Sequence, residues 1–593
     1  MSNNSGIHRE DDVAIEKAAA NLPVTSQDDV LEVTKERPYG ELNFIGTYVA
    51  VCLGALACYG GFVMPATSLA LINEDIGPSA NVVWVILAWT LCLAVGYTLV
   101  GRLSDIFGRR WFFIGASVLA TVGCIIGATA KSIYPLIGGN ALIGLATSAQ
   151  LSFNYIITEL VPVRDRFYVL ALIFLFAIPF SSFGPVIARL FIVHTTAGWR
   201  WCYYVNIIFN GLSTILYVIF YHPPNFSELH RRGRTRWQEV KDIDVGGVTL
   251  YTAGMVLLLM GLSWGGAVYP WRSAHVIVTI VLGFALGIAF VLYELYMPLN
   301  RPLVPMHLFR DRDFTVLTII SAVGGMLYYS LNVIYPTMVA TLFTSDLVKA
   351  GLLSCAIGGG VGAGQFSSSL WATPGGFFRW KLFISVVLCT AFAGGLAGAK
   401  TQAAASALAV LAAFFIGALE SLAGVAVTIV IKDQTEIGVG AGVYGSLRSL
   451  AGVLATAILH TILTSKVTDS TENQIVPALL QAGLPPASVE PFLASLSAGN
   501  VEGAVAVPGA TEQIVGIGAA ALQAAYSNAF TLMYLVTIAF GGCSIIAAWF
   551  SPELEKLYTG NVMRRLHKTG KRDEKPVEIN GKKVVEVEHR EKV

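Results

Sequence analysis

The sequence predicts an all-α polytopic membrane protein with fourteen transmembrane helices. Three observations predict it. Of the 593 residues, 55% are hydrophobic and only 13% charged, about half the charged share of an ordinary soluble chain. Apolar stretches of membrane-spanning length recur along the whole chain, and the basic residues between them alternate in abundance from one gap to the next.

A helix needs about 20 apolar residues to cross a hydrocarbon core of about 30 Å. Such stretches lie near 43–70, 82–100, 111–130, 134–158, 168–190, 203–221 and 246–264, then 274–295, 314–335, 347–371, 380–399, 404–431, 438–464 and 526–549. The first forty residues are polar and acidic and lack an apolar leader core, so the tail 1–41 is expected in the cytosol. With that start, six of the 39 Lys and Arg fall outside (Lys131, Arg200, Arg272, Lys349, Lys400, Lys466) and two within spans (Arg189, Arg448). The rest are cytoplasmic. A missed helix would invert this bias beyond the error, and no inversion occurs, so both termini are expected inside.

Between the spans lie a basic cytosolic loop (223–245) and an outer loop (465–525). A basic cytosolic tail (551–593) follows the last span. The tails read as largely unstructured. In the outer loop Ile475–Ala482 and Val489–Leu496 have the pattern of short helices, the second capped by Ser488; no chemistry is assigned there. All eight cysteines fall in apolar segments without CxxC spacing, so neither a disulfide framework nor a metal site is expected. The basic clusters are loops and tails and make no nucleic-acid face. Gly398-Ala399-Lys400-Thr401 lacks the glycine that a phosphate loop puts before its lysine, which argues against nucleotide-driven transport. No cofactor is implied.

Gly101-Arg102-Leu103-Ser104-Asp105-Ile106-Phe107-Gly108-Arg109-Arg110 makes a tight cytoplasmic turn between helices two and three. Its glycines permit close helix approach, and Asp105 can pair with a basic neighbour or a helix N-terminus. This segment closely resembles the signature loop of the major facilitator superfamily. Gly184-Pro185 in helix five resembles that superfamily's antiporter motif, with Ala188-Arg189 where a second glycine pair is usual. Trp199 to Asn206 resembles the start of helix six in the fourteen-helix drug:proton antiporters. Glu159-Leu160-Val161-Pro162, Tyr221 to Phe226, Trp264-Gly265-Gly266 and the stretch around Gly483-Leu484-Pro485 are similar to the fungal trichothecene efflux pump family.

The resemblance covers roughly 42–560. It implies two six-helix bundles (42–222 and 310–550), an inserted helix pair (246–296) and no enzyme activity. It further implies a plasma-membrane exporter of toxins, drugs or secondary metabolites, running by alternating access and proton antiport, and a monomer. Proton-coupled uptake of siderophore-iron or another small solute is the alternative. The arginine that many such exporters carry in helix four is here Asn140, and helix one has no acidic residue at its middle.

At 100° per residue, Asn140, Thr147, Gln150, Asn154 and Thr158 share one stripe of helix four. Unpaired polar groups in hydrocarbon cost several kcal/mol, so the stripe faces either another helix or a water-filled cavity. The resemblance favours the cavity, because helix four lines the central pathway of the superfamily. Glu420 is the one carboxylate near the middle of a span, at an insertion cost of roughly 2.5–3.5 kcal/mol. It is the candidate proton-coupling group, with a hydrogen bond to a neighbouring helix as the other reading. If the inserted pair is helices seven and eight, helix twelve is the pseudosymmetric mate of helix four and Glu420 faces the same cavity. Arg189 can reach the outer surface, whereas Arg448 is expected to pair with a carboxylate. Glu294 reads as peripheral and His460 as a packed histidine. Tyr328 and Tyr329, with Tyr335, Tyr48 and Tyr59, can give flat walls with polar tips. Such a cavity suits a neutral or weakly polar organic solute. The partners expected are therefore that solute, protons and the lipid bilayer.

Overall fold

The computed structural model describes residues 41–554 apart from 78, 80, 108, 154–160, 162–164, 224–243, 266–268, 298, 300–301, 373–375, 432–436 and 498–500, together with 577–579 and 582–584. The tail 1–40, most of the basic loop 223–245 and most of the C-terminal tail thus lie outside the described residues, as do Gly108, Asn154 and Thr158.

Long helices follow the apolar stretches in order. They are α1 (Leu42–Thr67), α2 (Trp84–Phe107), α3 (Arg109–Thr129), α4 (Ile133–Gln150), α5 (Arg166–His194), α6 (Trp201–Phe220) and α7 (Val245–Trp264). Then come α8 (Ala274–Tyr296), α9 (Arg312–Met338), α10 (Leu347–Trp371), α11 (Phe378–Gly395), α12 (Gln402–Val430), α13 (Ile437–Ser470) and α14 (Glu512–Ala548). Among the described residues, twelve are long and apolar enough to cross a membrane. The other two, α2 and α4, stand where the sequence predicts the second and fourth spans. The described apolar stretch of α2 is Trp84–Val100, and α4 is diluted by its polar residues Asn140, Thr147 and Gln150.

Side chains that accept backbone N–H groups start several helices. Asp346 accepts from Val348 (2.8 Å) and Lys349 (3.2 Å), Asp244 from Gly247 (2.8 Å), and Thr511 from Ile514 (3.3 Å). The cap at Thr511 starts α14 at Glu512, and α13 runs to Ser470, so both helices extend into the stretch read as the outer loop 465–525 and 471–511 lies between them. That segment forms the helices Val476–Gln481, Pro486–Ser497 and Val501–Val505. They enclose a small core around Leu479, Phe492 and Ile514. Ser488 lies inside the second of these helices and donates to the Pro508 carbonyl (2.7 Å) instead of capping it. The described strands are Val577–Ile579 and Lys582–Val584, an antiparallel pair in the C-terminal tail.

The helices assemble as two bundles and a pair. In the first bundle α1 packs on α5 and α6, α2 on α4, and α3 on α4 and α6. In the second, α9 packs on α12, α13 and α14, α10 on α12, and α11 on α12 and α14. The bundles meet along two seams, α5 with α10 and α2 with α13. At the first, a Cβ on Gly358 of α10 would collide with the Ser181 carbonyl of α5. Further along α10 a Cβ on Gly364 would collide with the Phe414 carbonyl of α12. Only glycine allows backbones this close.

Helices α7 and α8 pack on each other and join the bundles beside the second seam. There Ser446 of α13 donates to the Ala94 carbonyl of α2 (2.7 Å). Its hydroxyl proton is thereby used, so the 2.7 Å contact with Tyr251 of α7 has tyrosine as donor. Thr461 of α13 donates to the Leu262 carbonyl (3.2 Å). Glu294, buried at the end of α8, accepts from the backbone N–H groups of Leu303 (2.9 Å) and Val304 (3.2 Å) and so ties the pair to the linker before α9. The outward face of α8 carries Val278, Val281, Phe284 and Ile288, all exposed, as a lipid-facing helix requires.

Candidate functional site: a charged pair between the bundles

Between the bundles lies a cavity of about 110 Å³. The first bundle contributes Cys58, Tyr59 and Phe62 of α1 and Trp89 and Tyr97 of α2; the second contributes Tyr328 and Tyr329 of α9, Gln365 of α10, Glu420 of α12 and Arg448 of α13. Glu420 sits among small residues of α12: a Cβ on Gly417 would collide with the Val361 carbonyl of α10, and one on Gly424 would stand 3.6 Å from the Tyr444 hydroxyl.

Arg448 grips Glu420. Its Nε donates to Oε1 at 2.9 Å and its Nη2 to the same oxygen at 2.5 Å. Nη1 reaches the Tyr329 hydroxyl at 3.4 Å. The guanidinium carbon lies 5.6 Å from the Tyr328 ring centre and 5.4 Å from that of Tyr329, within cation–π range. Glu420 is buried, its side chain 6% exposed, and Arg448 is largely covered at 14%. Each alone would carry a desolvation cost of several kcal/mol, offset here by the partner. Arg448 therefore binds a carboxylate, and Glu420 joins α12 to α13 while facing the cavity.

The described residues of the α4 stripe, Asn140, Thr147 and Gln150, do not line this cavity. Asn140 donates to the Tyr203 hydroxyl (2.9 Å) and Gln150 to Asn210 Oδ1 (2.6 Å), both on α6. Thr147 is buried, with no hydrogen-bond partner for its hydroxyl. The interhelical reading holds for Asn140 and Gln150, because α6 carries its own polar ladder of Tyr203, Asn206, Asn210 and Ser213. That ladder was the signal in the sequence. Tyr48 and Tyr335 also face away from the cavity, donating to the Val169 carbonyl (2.8 Å) and to Ser406 (3.2 Å). Tyr59, Tyr328 and Tyr329 are on its wall; Phe62, Trp89, Gln365 and Tyr444 join them without having been singled out.

The remaining expected residues lie at the seams and ends. A Cβ on Gly184 would stand 3.1 Å from Val63 of α1, and one on Gly351 of α10 would stand 3.2 Å from the Pro185 carbonyl. Gly184 and Pro185 thus mark where α5 crosses α1 and α10. Gly101 and Asp105 fall in the last turns of α2, and Arg109 and Arg110 open α3. Arg110 Nη2 donates to the Val218 carbonyl of α6 (2.7 Å). Trp199 and Arg200 clasp Asp75 beyond α1, through indole Nε1 at 2.7 Å and guanidinium Nη1 at 3.3 Å, with the guanidinium over the indole at 4.4 Å. Arg189 does not merely reach for the surface: its Nη2 donates to the Thr67 carbonyl at the end of α1 (2.8 Å). It lines a second cavity of about 720 Å³, together with His460 and residues from α2, α9 and α14.

A model of the family "Fungal trichothecene efflux pump (TRI12)" matches residues 10–585. The chain is 29% identical over 538 residues to the trichothecene efflux pump TRI12 of Fusarium sporotrichioides, covering 89% of each chain. It is equally similar, at 29% over 543 residues and 89% of each chain, to the pump of that name from Trichoderma arundinaceum. It is 26% identical to the MFS-type transporter prx5 of Penicillium rubens, over 93% of this chain and 99% of that one. Among solved structures it resembles the major facilitator proton:xylose symporter XylE, with a TM-score of 0.52 at 13% identity over 87% of this chain and 98% of that one. A bacterial homologue of the lysosomal transporter Spinster gives a TM-score of 0.51 at 14% identity over 87% and 97%. These two likenesses concern the fold.

Proposed function

This chain belongs to the fungal trichothecene efflux pump family, with a major facilitator fold, and on that premise we propose that it exports a toxin or secondary metabolite by proton antiport and alternating access. It is a multi-pass membrane transporter, not an enzyme. The observation that carries the finer reading is the Glu420–Arg448 pair on the wall of the cavity between the two bundles.

In this reading the ionised Glu420 holds Arg448. A proton arriving from outside neutralises the carboxylate and frees the guanidinium fork, whose other contacts are the Tyr329 hydroxyl and the two tyrosine rings. The freed fork offers donors to an oxygen of the solute, and Tyr59, Tyr328, Phe62 and Trp89 offer flat apolar surface. Proton and solute thus act on one pair, and rocking about the two seams would turn the cavity from one side of the membrane to the other. Inward movement of a proton yields about 2.3 kcal/mol per 100 mV of membrane potential. A pH difference of one unit adds about 1.4 kcal/mol. For one proton and a neutral solute this sustains a gradient of a few hundredfold.

The reading places both termini in the cytosol and the segment 471–511 outside, in the plasma membrane, with a single chain as the working unit. Its test is Glu420→Gln, which keeps the shape and removes the titrating proton. In vesicles with an imposed pH gradient this variant should lose uphill accumulation and keep downhill exchange. Accumulation equal to the parent's would leave Glu420 a structural residue.

A further inference from the structure

The two cavities share no lining residue, yet they stack along the same helices. Along α1 the wall passes from Phe62 to Ala66 and Thr67; along α2 from Trp89 to Ile86; along α9 from Tyr329 to Val333; along α13 from Arg448 to Thr456 and His460. Each step is one to three turns of helix. Between the chambers stands an aromatic layer. Phe62 stacks on Trp89 with centroids 4.5 Å apart and meets Tyr329 edge-on at 5.6 Å.

We propose that the larger chamber is a second solute station, which holds an amphipathic organic molecule by an anionic or carbonyl oxygen on Arg189 after it has passed the Phe62–Trp89–Tyr329 layer. Its 720 Å³ lies inside the range of roughly 300–1,000 Å³ typical of small-molecule sites. Its walls are mixed as such sites are: Ile86, Val333 and Ile334 are aliphatic, while Thr337, Thr341 and Gln523 are polar.

Arg189 sets the ligand chemistry. Of its donors, Nη2 serves the Thr67 carbonyl, while Nε is buried with no hydrogen-bond partner. None of the described residues lining the chamber is acidic. A partly desolvated guanidinium without a counter-charge favours an oxygen acceptor, above all an anionic one. His460 lines the same chamber, and the apolar wall covers the rest of the molecule. The station lies at the end of the bundle near 471–511, so it rests on the export reading for the direction of passage. Its occupancy does not.

The test uses Thr337→Cys in a cysteine-free variant that still transports, labelled from outside with an impermeant trimethylammonium methanethiosulfonate. The probe is 1-naphthalenesulfonate, an apolar ring system with one anionic head. The probe should slow labelling, and Arg189→Gln should raise the concentration needed by about tenfold, as loss of one charge-assisted contact does. Arg189→Lys should keep most of the protection and shows that the charge, not folding, is responsible. Protection unchanged in Arg189→Gln, or absent in the parent, overturns the station. Because nothing is transported in this assay, Glu420→Gln should leave protection intact whether or not the export reading survives.

Discussion

At the scale of single residues the decisive contact is one that the sequence announced by halves. Glu420 was legible as the carboxylate near the middle of a span, and Arg448 as an intramembrane cation that needs one. What joins them is the rotation of α12 against α13, which no periodicity reports. The same limit explains Asn140 and Gln150: the stripe was legible, but its direction depended on the facing ladder of α6, to which it donates. The pair makes a quantitative prediction. Arg448→Met alone leaves a buried carboxylate without its cation and should destabilise the protein by about 3–5 kcal/mol. Combining it with Glu420→Gln should restore much of that loss. Thermal unfolding of the four proteins in detergent measures the coupling, and additive losses would show that the contact contributes nothing.

At the scale of elements, the spans were legible because bilayer thickness fixes their length and the basic gaps fix their order. The beginning of α14 was not. Residues 512–525 interrupt their apolar run with Glu512, Gln513 and Gln523 and are rich in Ala and Gly, yet they continue the helix once Thr511 caps it and the small core around Phe492 covers it. The place of α7 and α8 was also beyond the sequence, since it rests on Tyr251, Ser446 and Ala94 meeting from three separate helices. Helix α10 invites a paired experiment. Gly358→Ala pushes a methyl into the Ser181 carbonyl and should reduce transport at least severalfold, since overpacking costs about 1–3 kcal/mol. Gly359→Ala, whose methyl would meet only the Ser182 Cβ at 3.9 Å, should transport normally. Equal rates for the two variants would show that the close approach has no bearing on transport.

At the scale of the whole molecule, the proposed orientation across the membrane rests on the charge bias along the chain. Ser470→Cys in a cysteine-free background should react with an impermeant thiol reagent in intact cells; reaction only after permeabilisation would reverse the orientation. The two seams between the bundles differ in kind. Where α5 meets α10 the backbones touch with no side chain between them at Gly358. Where α2 meets α13, the Tyr97 ring closes on Gly445 and the Ser446–Ala94 bond spans the gap. In mechanical terms the first has the form of a plain bearing and the second that of a latch. If the bundles rock as proposed, such a machine would pivot on its bearing and spend its waiting time at the latch. The helix pair bolted beside that latch through Tyr251 is then where a small load would brake the whole cycle.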